Sequence, residues 1–527
     1  MNIRPSKAFA VAAVLLFLAA AGCTDPTVAP KSTITEANLG TDPNFSYRAF
    51  LAKLYAGLAV TGQQGPHGNA DITANDEGFY NYIRLLWCMN ELPTDEAVIG
   101  WGDRGLAELN RGTWSASNNP WVEALYARIF YQVTLVNEFL RQTTLERLNA
   151  AGVSTALKTT IQQYRAEARF LRALSYWHGI DFFGNIPLVT EDDPVNSPPP
   201  AQATRTEIYN YIVAELTALR DSLPATGAGM YGRAARPAAD MLLAKVYLNA
   251  GVYTGTAHWT DALNAAQAVI TSGAYSLEPV WLHNFLADNN TSPEIILPVT
   301  SDGQHTQTWG GTTFIIHAAC GGSQQPSWYG IDYCWWGIRL KPEAVNRYAA
   351  GDGRASVIYS AGQNLAVTST TNWNDGYALA KFSNLTSAGV AGSHGTHPDT
   401  DFPMFRLADA YLIYAEAFLR GGGGSQTQAL TYVNALRARA YGGTSGDITG
   451  AQLTLAFVLD ERGRELLWEG HRRTDLIRYG LFSGGTYLWS WKHGTNPGTA
   501  LGVERDLYPL PAAELVANPN LTQNPGY

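Results

Sequence analysis

Residues 407–421 read LADAYLIYAEAFLRG, and after the loop 422–425 residues 428–441 read QALTYVNALRARAY. Both segments carry the three- and four-residue apolar spacing of amphipathic helices, so together they form a helical hairpin with Ala and Tyr at the crossing positions. A second pair looks the same: residues 238–251 (AADMLLAKVYLNAG) lead through a short loop to residues 260–272 (TDALNAAQAVITS). Tetratricopeptide arrays stack units of this kind, because one hairpin cannot bury its apolar face alone. The period is not strict, so the expectation is tetratricopeptide-like hairpins rather than a regular solenoid.

Helical periodicity also runs upstream, from Asp42 to Leu219. Phe45, Ala49, Ala52 and Ala56 recur on one stripe, as do Trp121, Leu125, Ile129 and Val133. The strongest helix spans residues 164–183, with Phe170, Leu174 and Trp177 on one face and a stop at Gly184 and Pro187. A proline-rich linker at 192–203 precedes another helix at about 206–223. Residues 274–403 differ: Gly, Ser, Thr and Asn interrupt them throughout, and only 294–299 and 312–316 read as strands. The predicted fold is mainly α: one domain over 42–527, with a hairpin scaffold at 42–273 and 404–482 and an irregular insertion at 274–403. Long insertions on rigid scaffolds are where binding residues concentrate.

The chain has 527 residues, 46% hydrophobic and 15% charged, with 15 Trp and a formal net charge of −9. No basic stripe is present, which argues against a nucleic-acid partner. Arg4 and Lys7 precede an apolar run ending in Ala20, Ala21 and Gly22, directly before Cys23. That order predicts a lipoprotein signal at 1–22, lipidation of Cys23 and a polar tether at 23–41. Position 20 departs from the pattern, since Ala stands where Leu is usual. Export favours oxidised thiols, so Cys320 and Cys334, which enclose CGGSQQPSWYGIDYC, form a candidate disulfide holding Trp328 and Tyr329 on a stiff loop. Cys88, in an apolar helical stretch, reads as a buried free thiol.

Motifs for chemistry fail on context. GAGMYG (227–232) satisfies GxGxxG but follows a helix closed by Leu223 and Pro224, not a strand. AGSHG (391–395) lacks the strand and helix of a nucleophile elbow, and HExxH does not occur. Glu461, Glu465 and Glu469 share one helix face, with Arg462, Arg464, Arg472, Arg473 and Arg478 close by, which reads as a structural salt network rather than a metal site. What remains is aromatic. Six tryptophans fall between 281 and 373. Trp87, Trp121, Trp177, Trp259 and Trp468 lie on helical stripes and belong to the core. Trp101, Trp309, Trp328, Tyr329, Tyr333, Trp335 and Trp336 have no such reason to be where they are. Flat rings stack on the C–H faces of sugars while Asp and Asn bind hydroxyls.

Residues 166–191 (AEARFLRALSYWHGIDFFGNIPLVTE), 242–253 (LLAKVYLNAGVY), 402–422 (FPMFRLADAYLIYAEAFLRGG), 459–480 (LDERGRELLWEGHRRTDLIRYG) and 507–527 (LYPLPAAELVANPNLTQNPGY), together with Cys23, resemble the SusD/RagB family over nearly the whole mature chain. Residues 69–103 look like its glycan-uptake branch. The resemblance implies an outward-facing outer-membrane lipoprotein that caps a SusC-type TonB-dependent barrel transporter and captures oligosaccharide. Peptide capture, as in other branches, and a carboxylate-dependent hydrolase are the alternatives. It implies binding without catalytic or metal residues and no cofactor; a calcium ion would leave no motif here to read. The expected stacking platforms are Trp101, Trp328, Trp335 and Trp336, with Asn69, Asp71 and Asp103 as polar contacts. Arg165, Glu167, Arg169 and Arg172 are expected to join helices.

Overall fold

The computed structural model describes residues 46–72, 76–115, 119–227 and 229–527. The expected signal segment, Cys23 and the tether lie outside the described residues. The scaffold begins with α1 (Tyr47–Ala59) and α2 (Tyr82–Glu91), followed by α3 (Pro120–Gln142), α4 (Thr155–Phe183) and α5 (Arg205–Leu219). Local chemistry sets their starts: Ser154 accepts from Leu157 N, Asn119 accepts from Trp121 N ahead of Pro120, and Thr204 forms a capping box with Glu207. Then come α6 (Arg236–Leu248) and α7 (Trp259–Thr271), α8 (Gly311–Ala319), the pair α9 (Leu407–Leu419) and α10 (Gln426–Tyr441), α11 (Leu455–Glu465) and α12 (Arg472–Arg478).

Helix α3 packs on α4, α4 on α5, α6 on α7 and α9 on α10. The two look-alike hairpins also stack directly on each other, α7 against α9, although the whole insertion lies between them in sequence. Among the tryptophans expected in the core, Trp87, Trp121, Trp177 and Trp468 are buried. Trp259 is only partly covered, with the Arg420 guanidinium 5.0 Å from its ring centroid. Arg165 donates to Leu140 O, Arg169 and Arg172 pair with Glu215, and Glu167 pairs with Arg233. These groups tie helices together.

The insertion leaves and rejoins the scaffold through one antiparallel pair, Ile295–Val299 with Phe402–Arg406, in which Ile295 faces Arg406 and Val299 faces Phe402. The expected strand at 294–299 is therefore one side of this neck. Residues 312–316 are not a strand but the middle of α8. All nine α8 residues are buried. A helix satisfies its own backbone where no partner strand is at hand, and a short apolar run does not distinguish the two.

Ionised groups hold the neck. Arg406, 1% exposed along its side chain, donates to Glu294, Glu465 and Glu469 at 2.6–2.9 Å. Arg439 of α10 reaches Glu294 and Glu465, Arg354 reaches Asp352, Glu461 and Glu465, and Lys381 reaches Glu469 and Leu467 O. The three-glutamate face is thus a salt network, as expected, but most of its partners come from outside its own segment. Only Arg464 of the neighbouring arginines joins it, on Glu461. Arg462, Arg472 and Arg478 neutralise Asp409, Asp475, Asp95 and Glu416, and Arg473 lies near Asp181. Burial pushes the Lys381 ammonium down to about 8 even beside Glu469, while three arginines hold Glu465 well below the usual carboxylate range despite its burial.

Removing one member of such a network strands the others out of water. Arg406→Met is expected to lower unfolding free energy by about 3–5 kcal/mol. Urea denaturation measures it, and an unchanged midpoint would show that hairpin packing alone secures the neck.

Candidate functional site

Strand Ala97–Ile99 runs antiparallel to Ile338–Leu340, with Ile99 opposite Ile338, and Gly100 N donates to Gly337 O at 3.0 Å. This pairing brings Trp101, just after the first strand, beside Trp335, just before the second. The Trp101 indole N–H donates to Trp335 O at 3.0 Å, and the ring centroids are 6.1 Å apart. Only glycine allows the approach: a Cβ on Gly337 would sit 2.7 Å from the Trp101 indole.

Helix α8 supports the second strand. Trp335 N, Trp336 N and Gly337 N donate to His317 O, Cys320 O and Ala318 O at 2.8–2.9 Å, and a disulfide joins Cys320 to Cys334. Beneath Trp335 the His317 ring is stacked at 4.8 Å and 29°. Trp309, just before α8, lies 6.1 Å from Trp335, and Tyr333 lies 6.3 Å away. The Trp309 indole donates to Pro66 O at 3.1 Å and its backbone N to Glu77 at 2.8 Å, which fixes the ring against the loop that carries His67 and Asn69. Four chain segments therefore converge on a row of rings: Trp101, Trp335, Trp309, with Tyr333 at the side.

Two buried imidazoles lie against this row, and the Glu77 carboxylate holds the backbone of Trp309. Burial pushes the His317 imidazole below its ordinary value, and its two nitrogens lie 2.7 and 2.8 Å from Tyr333 O and Thr396 O. His397, 5.0 Å from Trp309, is pushed down to about 4 by burial. Partly exposed rings over buried imidazoles suit a ligand with flat apolar faces. Among the described residues no group of three or more His, Cys, Asp and Glu is placed to hold a metal ion.

The expected site residues divide. Trp101 and Trp335 belong to the row, Asn69 is exposed beyond Trp309, and Asp103 is exposed two residues from Trp101. Asp71 departs from expectation: its carboxylate is 8% exposed and engaged by both terminal nitrogens of the buried Arg128 at 2.8 and 3.0 Å, with Lys53 at 3.9 Å. It anchors the 65–72 loop instead of facing a ligand. Trp328 and Trp336 are exposed but stand apart, Trp328 with Tyr359 and Trp336 with Trp373. Tyr329 is fully buried. The row also includes Trp309 and Tyr333, rings the sequence offers without saying which others they join. His317 gave no signal, since a lone His in an apolar run reads as core.

Partly exposed indoles set in a row on a hairpin scaffold offer flat faces for binding. Two family models match the chain, one described as SusD family over residues 301–527 and one as starch-binding associating with outer membrane over 107–248. The starch-binding protein SusD of Bacteroides thetaiotaomicron is 34% identical over 540 aligned positions, covering 92% of this chain and 93% of that protein. SusD-like protein P2 of Formosa agariphila is 26% identical over 99% of this chain and its own whole length. Surface glycan-binding protein A of Bacteroides thetaiotaomicron, solved in complex with laminarihexaose, superposes with a TM-score of 0.70 at 20% identity, covering 91% of this chain and 98% of its own. The chain belongs to the SusD family.

The buried histidines set a pH dependence. His178 is pushed down to about 3 and His397 to about 4, and His317 and His471 also lie below their ordinary value, in each case chiefly by burial. Unfolding returns them to about 6.5, so the unfolded chain binds more protons and stability falls as pH drops below that value. Asp401, raised to about 6 by burial, and Glu91, Glu96, Asp240, Asp506 and Glu514, also raised by burial, oppose this. Carboxylates held low by paired cations despite burial, among them Glu294, Asp409, Glu416, Glu461 and Glu465, act in the same direction as the histidines, so Tm is expected to decrease from pH 7 to pH 4. A flat or rising Tm by calorimetry would contradict neutral burial of these histidines.

Proposed function

We propose that this protein captures a neutral glycan on the row Trp101–Trp335–Trp309 at the cell surface. The observation that carries the reading is that three indoles from distant parts of the chain are assembled by a strand pair, a helix end and a disulfide into one row, an expensive arrangement unless the ring faces are used. Asn69 and Asp103 supply polar contacts to hydroxyls at the two ends of the row. The named ligands of the relatives, starch for one and laminarihexaose for another, are both neutral glucans. The reading is one of binding without bond breaking, in which the row presents ring faces to the ligand.

The same reading places the protein on the outer membrane, held by a lipid on Cys23, as the lid of a SusC-type TonB-dependent transporter. It is supported by the small residues before Cys23, the polar tether, and a family description that names outer-membrane association. Among the described residues no helix is long and apolar enough to cross a membrane.

Calorimetry against maltoheptaose, laminarihexaose and their parent polysaccharides tests the ligand class. Trp335→Ala is expected to weaken binding roughly two- to tenfold, since one stacked ring contributes roughly 0.5–1.5 kcal/mol. Asp71→Asn is expected to lower Tm while leaving affinity unchanged. Intact binding in Trp335→Ala would remove the row from the site; binding of peptides but of no glycan would overturn the ligand class.

A further inference from the structure

Trp335 and Trp336 are neighbours in sequence, yet their rings have no partner in common. Trp335 contacts Trp101, Trp309, His317 and Tyr333, whereas Trp336 contacts Trp373 at 5.8 Å. The separation comes from the backbone: Trp336 has φ 56°, a left-handed conformation unfavourable for a bulky residue. Hydrogen bonds from Trp336 N and Gly337 N to the end of α8, and the adjacent Cys320–Cys334 bond, hold it there. The result is an indole 52% exposed to water.

That indole lines a pocket of about 220 Å³. Trp336, Tyr359 and Trp373 supply rings to it, and Ser323, Gln363 and Asn374 supply polar atoms; none of its lining side chains is charged. Trp373 lies against bare backbone, since a Cβ on Gly321 or Gly322 would come within 2.7 Å of its indole. Trp328, 47% exposed, extends the aromatic wall with its ring 5.3 Å from Tyr359. Uncharged polar groups beside flat rings select a neutral polyhydroxylated ligand. The volume is below the roughly 300–1,000 Å³ of sites for drug-sized molecules, so it suits one or two sugar rings and not a long chain.

We propose that the Trp336–Tyr359–Trp373 pocket is a second saccharide site, separate from the Trp101–Trp335–Trp309 row, which takes a terminal or branching ring of the same neutral glycan. The inference rests on the glycan-binding reading and extends it: the strained Trp336 divides two adjacent indoles between two sites. A polymer long or branched enough to reach both would bind more tightly than an oligosaccharide that reaches one, because the second contact becomes intramolecular.

Indole N–H resonances of the oxidised mature protein, assigned by single Trp→Phe substitutions, test this in titrations with maltoheptaose and laminarihexaose. The expected result is two responding groups with different midpoints, Trp101 and Trp335 in one and Trp336 and Trp373 in the other. In Trp335→Ala the second group should still respond, and adding Trp336→Ala should abolish that residual response. The second site is overturned if the Trp336 and Trp373 signals stay still while the first group saturates, or if they lose their response together with Trp335. If no indole responds to either sugar or to its parent polysaccharide, the glycan reading fails and the second site falls with it.

Discussion

Burying Arg406 among Glu294, Glu465 and Glu469 is the constraint around which the rest of the molecule is arranged. Charges removed from water are tolerated only when each is matched and each hydrogen-bonding direction is used. Here Arg439, Arg354 and Lys381 complete the matching. The matched groups come from both sides of the neck, from α10 and α11 in the scaffold and from 294, 354 and 381 in the insertion. Packing of apolar side chains tolerates small slippage between surfaces; a set of paired ions with fixed geometry tolerates far less. The network therefore sets the register in which an irregular chain of more than a hundred residues sits on a helical frame.

From that register the aromatic surface follows. The insertion returns a strand at Ile338–Leu340 that pairs with Ala97–Ile99 of the early loop, and this pairing, not any local motif, puts Trp101 next to Trp335. The end of α8 then acts as a bracket, with three consecutive backbone N–H groups bound to its last carbonyls and a disulfide beside them. The rings proposed to meet the ligand are held by backbone hydrogen bonds, which fix their orientation in advance. Such preorganisation reduces the entropy lost on binding.

The hairpins were legible in the sequence because 3.6-residue periodicity survives wherever a helix has one buried face. It failed at α8, where Thr312, Thr313, Ile315 and Ile316 suggest a strand and every side is buried, leaving no polar face to mark the period. The three-glutamate face was legible as ionic, yet its main partners, Arg354, Lys381, Arg406 and Arg439, lie up to more than a hundred residues away and carry no local mark. Site residues show the same limit. Aromatic excess marked Trp101 and Trp335, but nothing in the sequence separates Trp335 from Trp336, whose left-handed φ turns its ring to other partners. Asp71 looked available because its partner, Arg128, sits on a helix whose periodicity gives no reason to expect a buried guanidinium.

The neck has a consequence for how such a protein diversifies. Its two strands enter and leave side by side, so the chain between them can change length and content without moving the stacked hairpins α6/α7 and α9/α10. It is not a free cassette, however. Glu294 and Arg406 form the lock at its base, and the strand at 97–99 is a second, remote latch, so an exchange of the insertion that leaves the early loop behind would unpair Ile338–Leu340 and separate Trp101 from Trp335. On the proposed reading the ligand surface is thus discontinuous in sequence: the early loop and the insertion each supply part of it, and the helical frame between them holds the two together.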